Sequence, residues 1–191
     1  MTFEDYFIDS IINNETYGGK PELKVYPDPS DEGHLTYGFG HKLTEEEKKY
    51  MKEGDPITYD HAVKTFKQDL SNTFSITNRL PWIQTLSDGQ KFTLLDMSFN
   101  MGEARMRGTA PRGFTRFFDN MYQYSQSETP EQKRNYSHRA YMELKHVNPF
   151  GINGKKDMSY TKYWKKNYGG RAHRNAQYIL DPSKELIKKE K

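Results

Sequence analysis

One short segment of the sequence, residues 23–39, differs from everything around it. It contains two runs of alternating residues, LKVY and LTYGF, separated by the turn-forming stretch PDPSDEG. Alternation bounded by Pro, Gly, Asp and Ser predicts two short antiparallel strands joined by a loop. The hydrophobic residues elsewhere have the three-to-four-residue spacing of amphipathic helices. The predicted fold class is therefore α+β and mostly helical, with one small β-region near the N-terminus.

Helix-capping patterns indicate where several helices begin and end. The first helix should end at about Ile12, so that Glu15 lies just beyond it. A Ser or Thr followed three residues later by Glu or Gln forms a capping box, and this spacing occurs at 44–47 and at 87–90. The most apolar segment, 91–102, follows the second box and is predicted to be a central buried helix.

A length of 191 residues suits a single domain with two lobes. The order of the predicted elements sets the boundaries of these lobes. We expect a β-containing lobe over about 13–57, an interlobe helix over about 58–75, a helical lobe over about 76–181 together with helix 2–12, and a basic tail over 182–191.

Charge is distributed unevenly along the chain. The net charge is +3, yet residues 1–60 hold six Lys or Arg against 14 Asp or Glu, and residues 155–191 hold 11 against four. A basic C-terminal region favours an anionic partner, such as a cell-wall polymer, a nucleic acid or an anionic lipid, although a solvated basic helix with a frayed tail is the commoner origin. The absence of cysteine excludes disulfides and cysteine-based nucleophiles or zinc sites.

Acidic residues accompany the predicted strands. Glu15 precedes them and Asp28 lies between them, with the hydroxyl of Thr36 close behind in sequence. Glycoside hydrolysis uses two carboxyl groups, one to protonate the leaving oxygen and one to activate water or attack carbon. The pair is a weak signal by itself, because the region is rich in acidic residues and a lone Glu after a helix is usually a solvent-exposed loop residue.

Ordered motifs strengthen this signal. A Glu after the first helix is followed by Tyr-Pro-Asp (26–28), Gly33 and Thr-Tyr-Gly-Phe-Gly-His (36–41). This order resembles the active-site β-hairpin of the phage lysozyme family, glycoside hydrolase family 24. Downstream, FKQDL, DMSFNMGE with GFT, and YWKKNYGGRAHRNAQYIL are similar to later segments of that family. The resemblance implies a lysozyme-like fold of a small β-hairpin lobe and a larger helical lobe joined by a long helix.

The resemblance also implies roles for matching residues in the β-region. Glu15 would be the general acid, and Asp28 the base that aligns water, aided by the Thr36 hydroxyl. His41 would be a structural residue, with its ring paired to Asp69 of FKQDL. Gly38 and Gly40 would take no part in the chemistry, but they would let the hairpin backbone approach a saccharide closely.

Residues of the helical region are implied to support or line the site. Arg171 is expected at the cleft, where it would orient the carboxylate of Glu15. Phe99, Asn100 and Trp164 are candidates to line the sugar groove. Ordinary helix packing explains Phe99 and Trp164 at least as well.

Two departures from the family pattern bear on the identity of the acid. Thr16 replaces the usual glycine after Glu15, and the 13 positions from Glu15 to Asp28 exceed the usual spacing. Extra loop length costs little free energy, so both carboxylates can keep their places. Glu22 is the alternative acid, and Glu15 is preferred because only it follows a well-formed helix.

The implied function is hydrolysis of the β-1,4 bond between N-acetylmuramic acid and N-acetylglucosamine in peptidoglycan, with no cofactor and no metal. The alternative is a catalytically degenerate wall-binding or inhibitory module on the same fold. Inverting, retaining and transglycosylase outcomes stay open. Peptidoglycan glycan strands are the expected partner of a monomeric protein that neither binds nucleic acid nor inserts stably into a membrane.

Localisation follows from the resemblance alone. The apolar run at the N-terminus is too short for a signal peptide. The family implies synthesis in the cytoplasm of a bacterial host and later action in the periplasm or cell wall. A holin, the virion or a secretion apparatus would deliver the protein, and the sequence leaves all three routes open.

Overall fold

The computed structural model describes residues 2–16, 18–28, 33–109, 114–151, 156–166, 170–184 and 186. Contacts along the chain divide it into two compact units, Met1–Thr73 (unit 1) and Phe74–Lys191 (unit 2). Helices predominate over strands, which confirms the mostly helical α+β fold class. Most of the predicted basic tail, 182–191, lies outside the described residues.

Unit 1 combines a small antiparallel sheet with helices before and after it. Its described elements are α1 (Phe3–Glu15), β1 (Glu22–Pro27), β2 (Leu35–Gly38), β3 (His41–Lys42), a 3-10 turn (Glu47–Lys49) and α2 (Tyr59–Arg79), whose C-terminal end belongs to unit 2.

Helix α1 is longer than the sequence predicted. Phe7 and Ile11, four positions apart on one face, are completely buried. The helix continues past Ile12 to Glu15, so the expected end near Ile12 is wrong. The N–H and hydroxyl of Thr16 both donate to the carbonyl of Ile12, at 3.1 and 2.6 Å, and these bonds stabilise the added turn. Glu15 is therefore the last residue of a helix rather than a loop residue.

The sheet has the strand order β1-β2-β3, and both pairings are antiparallel. Tyr26 lies opposite Thr36, and Tyr37 lies opposite His41. One face packs a core formed by Val25, Tyr37, Leu43, Ile57 and Ala62.

The segment after β3 forms less helix than its capping box suggests. The box itself is present, because Thr44 N–H donates to the Glu47 carboxylate and Glu47 N–H donates to the Thr44 hydroxyl. Only the 3-10 turn Glu47–Lys49 follows. Residues 54–57 instead bond to the backbone of β1, with Val25 N–H donating to the Asp55 carbonyl at 3.0 Å. This pairing requires extended chain where a longer helix would run.

Unit 2 is built from helices around one that is almost entirely buried. Its described elements are a 3-10 helix (Pro81–Thr85), α3 (Asp88–Met101), α4 (Glu103–Met106), α5 (Thr115–Gln126), α6 (Pro130–Lys145), β4 (His146–Asn148), β5 (Asp157–Tyr160), α7 (Lys162–Lys166) and α8 (Arg171–Leu180).

Helix α3 is the buried helix that the apolar segment predicted. Residues 89–98 are all buried apart from the half-buried Lys91. Gly89 lies against the ring of Tyr178 on α8, where an added Cβ would come within 2.7 Å of a ring carbon. This close approach lets α3 and α8 pack directly on each other. None of the described helices has the combined length and apolar character required to cross a membrane.

Strands β4 and β5 were missed by the sequence prediction, which expected one small β-region near the N-terminus and a helical lobe over about 76–181. They pair antiparallel, with His146 opposite Tyr160. Every residue of β5 is exposed. A strand of four exposed residues has no buried face, and therefore no alternation of apolar and polar residues from which to predict it.

Candidate active site

The turn between β2 and β3 lies directly against the side chain of Glu15. Gly40, in this turn, has a φ of +85°, a left-handed conformation that favours glycine. A Cβ placed on Gly40 would lie 3.0 Å from Glu15 Oε2 and 3.4 Å from its Cβ and Cγ. Glu15 itself is half-buried. Glycine at position 40 thus allows the turn to cover one side of the candidate acid.

Asp28 directly follows β1, at the start of the loop to β2. Its N–H donates to the carbonyl of His34 at 2.9 Å, and its own carbonyl accepts from Gly33 N–H at 3.2 Å. These two backbone bonds fix where the strand ends. The half-buried Asp28 side chain is therefore attached to a well-defined piece of backbone.

The Tyr26 phenol is affected by the charges of both candidate carboxylates, Asp28 and Glu15. Burial raises the pKa of the Tyr26 phenol, and the negative charges of Asp28, Glu15 and Glu22 raise it further. All three acidic residues therefore lie in the surroundings of one phenol group. The sequence analysis gave Tyr26 no role. The Tyr-Pro-Asp motif, whose first residue is Tyr26, was the signal from which it could have been identified.

Thr36 lies opposite Tyr26 on the neighbouring strand and is only 2% exposed. Its hydroxyl donates to the carbonyl of His34 at 3.2 Å. The same carbonyl accepts from the N–H of Asp28, so the backbone at His34 links the Thr36 hydroxyl to the start of the Asp28 loop.

The ring of His41 lies between two carboxylates. Its Nδ1 is 2.8 Å from Asp69 Oδ2 on α2, the partner that the resemblance implied. Its Nε2 is 3.0 Å from Glu47 Oε2, a contact that the sequence analysis missed. Burial alone would lower the pKa of His41, but the two carboxylates outweigh it and raise the pKa above its ordinary value. With a carboxylate at each nitrogen, the protonated form of the ring can donate in both directions.

Glu47 is the centre of this cluster. Its carboxylate accepts from the N–H and the hydroxyl of Thr44, both at 2.8 Å, and from the Tyr37 hydroxyl at 3.0 Å. Burial would raise the pKa of Glu47, but the bonds from Thr44 and His41 dominate and lower it to about 2. The Tyr37 hydroxyl also lies 3.1 Å from His61 Nε2, and burial together with the Glu47 charge raises the pKa of Tyr37 to about 12.

The residues predicted from the helical region fall in unit 2. Arg171, the first residue of α8, donates to Asn100 Oδ1, and its Nε lies 3.4 Å from Asp96 Oδ1. Asn100 also donates to the backbone carbonyl of Asp96 at 2.6 Å. Asp96 is completely buried and was not singled out in the sequence.

Trp164 is 3% exposed, so its ring offers almost no face on which a sugar could stack. Its ring lies 6.3 Å from the rings of both Tyr141 and Tyr160, and the Lys145 ammonium is 5.4 Å from its centre. This setting favours the alternative of helix packing for Trp164. Phe99 is half-buried on α3.

Among the residues that the structure describes, no three His, Asp or Glu side chains are grouped so that they could hold a metal ion.

Comparison with known families agrees with the motifs. The family model described as phage lysozyme matches residues 17–126, more than half of the chain. The match includes Asp28, Thr36, His41 and Asp69, and it begins two residues after Glu15. No curated protein matches the chain. The chain belongs to the phage lysozyme family, and this membership supports a peptidoglycan-hydrolysing activity.

Proposed function

We propose that this protein is a muramidase that cleaves the β-1,4 bond between N-acetylmuramic acid and N-acetylglucosamine, with Glu15 as general acid and Asp28 as base. Family membership supports the reaction class. The observation that carries the assignment is geometric: the half-buried Glu15 side chain lies against Gly40, in a turn of the same sheet whose first strand is directly followed by Asp28. Glycoside hydrolysis requires two carboxyl groups, and Glu15 and Asp28 both adjoin this sheet.

In the proposed reaction, Glu15 gives its proton to the glycosidic oxygen as the bond to the anomeric carbon breaks. Asp28 takes a proton from the water that attacks this carbon, and the Thr36 hydroxyl helps to hold the water. General acid and base catalysis of this kind contributes about 10²–10⁴-fold to the rate. The Gly40 contact supports the assignment because it fixes one side of the Glu15 carboxyl group.

Glu22 is the competing acid. Its Cα lies opposite Gly38 in the sheet, and its side chain is exposed. Glu15 is half-buried and lies against Gly40. The contact with Gly40 holds the Glu15 carboxyl group on one side, whereas the Glu22 side chain is exposed, and this favours Glu15 over Glu22 as the proton donor.

Substitution of the two acids separates these assignments. We expect Glu15→Gln to lower lysis of purified peptidoglycan by about 10²-fold or more, because the proton donor is lost. Glu22→Gln, the matched control, should keep nearly all activity. Asp28→Asn should lower the lysis of peptidoglycan as Glu15→Gln does. Thermal unfolding followed by circular dichroism would show that the variants fold, and normal lysis by a folded Glu15→Gln protein would rule out Glu15 as the acid.

Mass spectrometry of the released fragments tests the bond. A muramidase leaves N-acetylmuramic acid at the reducing end, a glucosaminidase leaves N-acetylglucosamine there, and a transglycosylase leaves an anhydro sugar. We expect the first product. Binding to the wall without any fragment release would instead identify the catalytically degenerate module.

We also propose that the protein works as a monomer in the periplasm or cell wall of a bacterial host, after delivery by a holin, a virion or a secretion apparatus. The basic C-terminal region, with 11 Lys or Arg against four acidic residues over 155–191, suits the anionic wall. Lysis should then weaken as salt screens these charges over the Debye length. Lysis rates that stay constant from dilute buffer to high salt would contradict a role for this region.

A further inference from the structure

We propose that Glu47 is a positioning residue for this reaction. Together with Asp69 it binds the two nitrogens of the His41 ring, and so holds the turn 38–41 against Glu15. The inference rests on the proposed function and adds to it a residue to which neither the motifs nor the family match gave a role in the reaction.

The His41 ring joins three separate elements. His41 begins β3, Glu47 begins the 3-10 turn and Asp69 lies on α2. The side chains of His41, Glu47 and Asp69 are 14%, 16% and 27% exposed, so both ion pairs are partly shielded from solvent. Pairs of this kind keep more of their Coulomb energy than fully exposed ones. Loss of either carboxylate would leave one ring nitrogen without its acceptor.

Glu47 is itself held in one orientation. The carboxylate oxygen that faces His41, Oε2, also accepts from the N–H and hydroxyl of Thr44, while Oε1 accepts from the Tyr37 hydroxyl. Four donors on one carboxylate leave it little rotational freedom. The position of the His41 ring is therefore determined by a group that is already fixed to the backbone.

The turn transmits that position to Glu15. Gly38 has a φ of +64°, and a Cβ there would lie 3.2 Å from Ala62 Cβ on α2. Gly40 lies against the Glu15 side chain, as described above. His41 follows Gly40 directly, so a shift of its ring moves the backbone that touches the candidate acid. A displacement of about 1 Å at a reacting group is enough to lower a rate up to about 10²-fold.

The charge on His41 depends on the groups that face it. On β2, the centre of the Tyr37 ring is 5.0 Å from the centre of the His41 ring, and the His61 ring of α2 is 5.5 Å from the Tyr37 ring. Glu47 of the 3-10 turn and Asp69 of α2 contact the two nitrogens of His41. The two carboxylates are the anions among these groups. Removal of the Glu47 charge therefore makes the imidazolium easier to deprotonate, and the turn should loosen at a lower pH.

The decisive experiment compares Glu47→Gln with Glu45→Gln across pH. Glu45 is in the same segment, is exposed and pairs with Lys48, so its replacement is a matched control. With soluble peptidoglycan fragments, we expect Glu47→Gln to lower kcat about tenfold with KM changed less than about twofold. Its alkaline limb of kcat should move to lower pH. Glu45→Gln should reproduce the parent profile.

A second variant allows the proposal to be tested even if Glu47→Gln does not fold. Thr44→Ala removes only the hydroxyl that orients Glu47, and it should move kcat and the alkaline limb in the same direction by a smaller amount. NMR titration of the His41 ring should show the same order of shifts. A purely structural role for Glu47 would lower the unfolding temperature but leave the alkaline limb in place.

The outcomes separate this inference from the proposed function. An inactive parent protein would overturn the proposed function, and this inference with it. An active parent whose folded Glu47→Gln variant keeps both kcat and the alkaline limb would overturn this inference alone.

Discussion

In the part of the chain that the structure describes, the charged cluster around His41 in unit 1 and the one around Asp96 in unit 2 differ in burial. In unit 1, His41, Glu47 and Asp69 keep between 14% and 27% of their side-chain surface in contact with solvent. In unit 2, the cluster is centred on Asp96, which has no exposed surface and lies 3.4 Å from Arg171 Nε.

The second cluster is tied more deeply into its surroundings. Asp96 Oδ2 accepts from Asn175 Nδ2 at 2.7 Å, and the same amide group lies 2.7 Å from the hydroxyl of Tyr163. Burial, together with the charge of Asp96, raises the pKa of the Tyr163 phenol. Asp96 and Asn175 are both completely buried.

This difference in burial predicts that the Asp96 cluster acts mainly on stability and the His41 cluster on the proposed reaction. A buried ion loses several kcal/mol of hydration, so removal of its partner from a fully buried pair is strongly destabilising. A partly solvated pair costs less to break, and its effect is felt at the backbone that it positions. We therefore expect changes in unit 2 to act on folding, and changes in unit 1 to act on the reaction.

The largest expected effect is that of Asp96→Ala. It removes the buried carboxylate that lies beside Arg171 and accepts from Asn175 Nδ2, and should lower the free energy of unfolding by about 3–5 kcal/mol. Both tryptophans, Trp82 and Trp164, belong to unit 2, so urea unfolding followed by tryptophan fluorescence reports on this unit. Asp88→Ala, at an exposed position on the same helix, is the control and should change the midpoint far less.

Gly40→Ala should have an intermediate effect on stability and a large one on lysis. An alanine at φ +85° costs about 1–2 kcal/mol, and its Cβ would press on the Glu15 carboxylate. Gly54→Ala imposes nearly the same backbone strain, at φ +88°, with nothing within 4 Å of the new Cβ. Only Gly40→Ala should lower lysis, by roughly tenfold or more. Equal lysis by the two variants would show that the contact with Glu15 does not matter.

The pH dependence of stability should differ between the units. The raised pKa of His41 contributes stability that is complete below about pH 6.5, its unfolded pKa, and is lost as pH rises through the folded value. The pKa of Glu47, lowered to about 2, contributes stability that is complete above about pH 4.3 and is lost as pH falls toward 2. Unit 1 should therefore be most stable between these limits.

Hydrogen exchange of the amides in 36–42, measured across this range, would follow that profile. Asp69→Asn should flatten its alkaline side, because one of the two anions that hold the imidazolium is removed. Tryptophan fluorescence of unit 2 should not change with Asp69→Asn. An unchanged exchange profile in this variant would contradict the assignment of the alkaline change to His41.

The smallest expected effect is that of Glu45→Gln. Glu45 is 89% exposed, and its pair with Lys48 is made three residues along the same segment. Exposed pairs of this kind contribute little to stability. We expect no measurable change in the urea midpoint or in lysis, and a clear loss of either would show that charge near the 3-10 turn matters beyond Glu47.

Features that depend on short-range sequence patterns could be predicted. Strands β1 and β2 begin close to the starts of the two alternating runs, LKVY and LTYGF. The capping box at Thr44 and Glu47 forms as its spacing indicates. The His41 contact with Asp69 came from motif resemblance rather than from periodicity. These features depend on neighbours within a few residues or on a motif with a fixed order.

Features that depend on the meeting of distant elements could not be predicted. Glu47 was visible only as a capping residue, because its contacts with His41 and Tyr37 exist only after the sheet has formed. The true end of α1 at Glu15 depends on bonds from Thr16, a residue with weak helix propensity. Strand β5 has no buried face and therefore no pattern to detect.

In the proposed reaction, the direction of the Thr36 hydroxyl determines how the attacking water would be oriented. Its hydrogen is committed to the His34 carbonyl, so the oxygen can serve a water only as an acceptor. Such a water would point one hydrogen at Thr36 and the other at Asp28. Both of its lone pairs would then face away from these residues, and one of them would be free for the anomeric carbon.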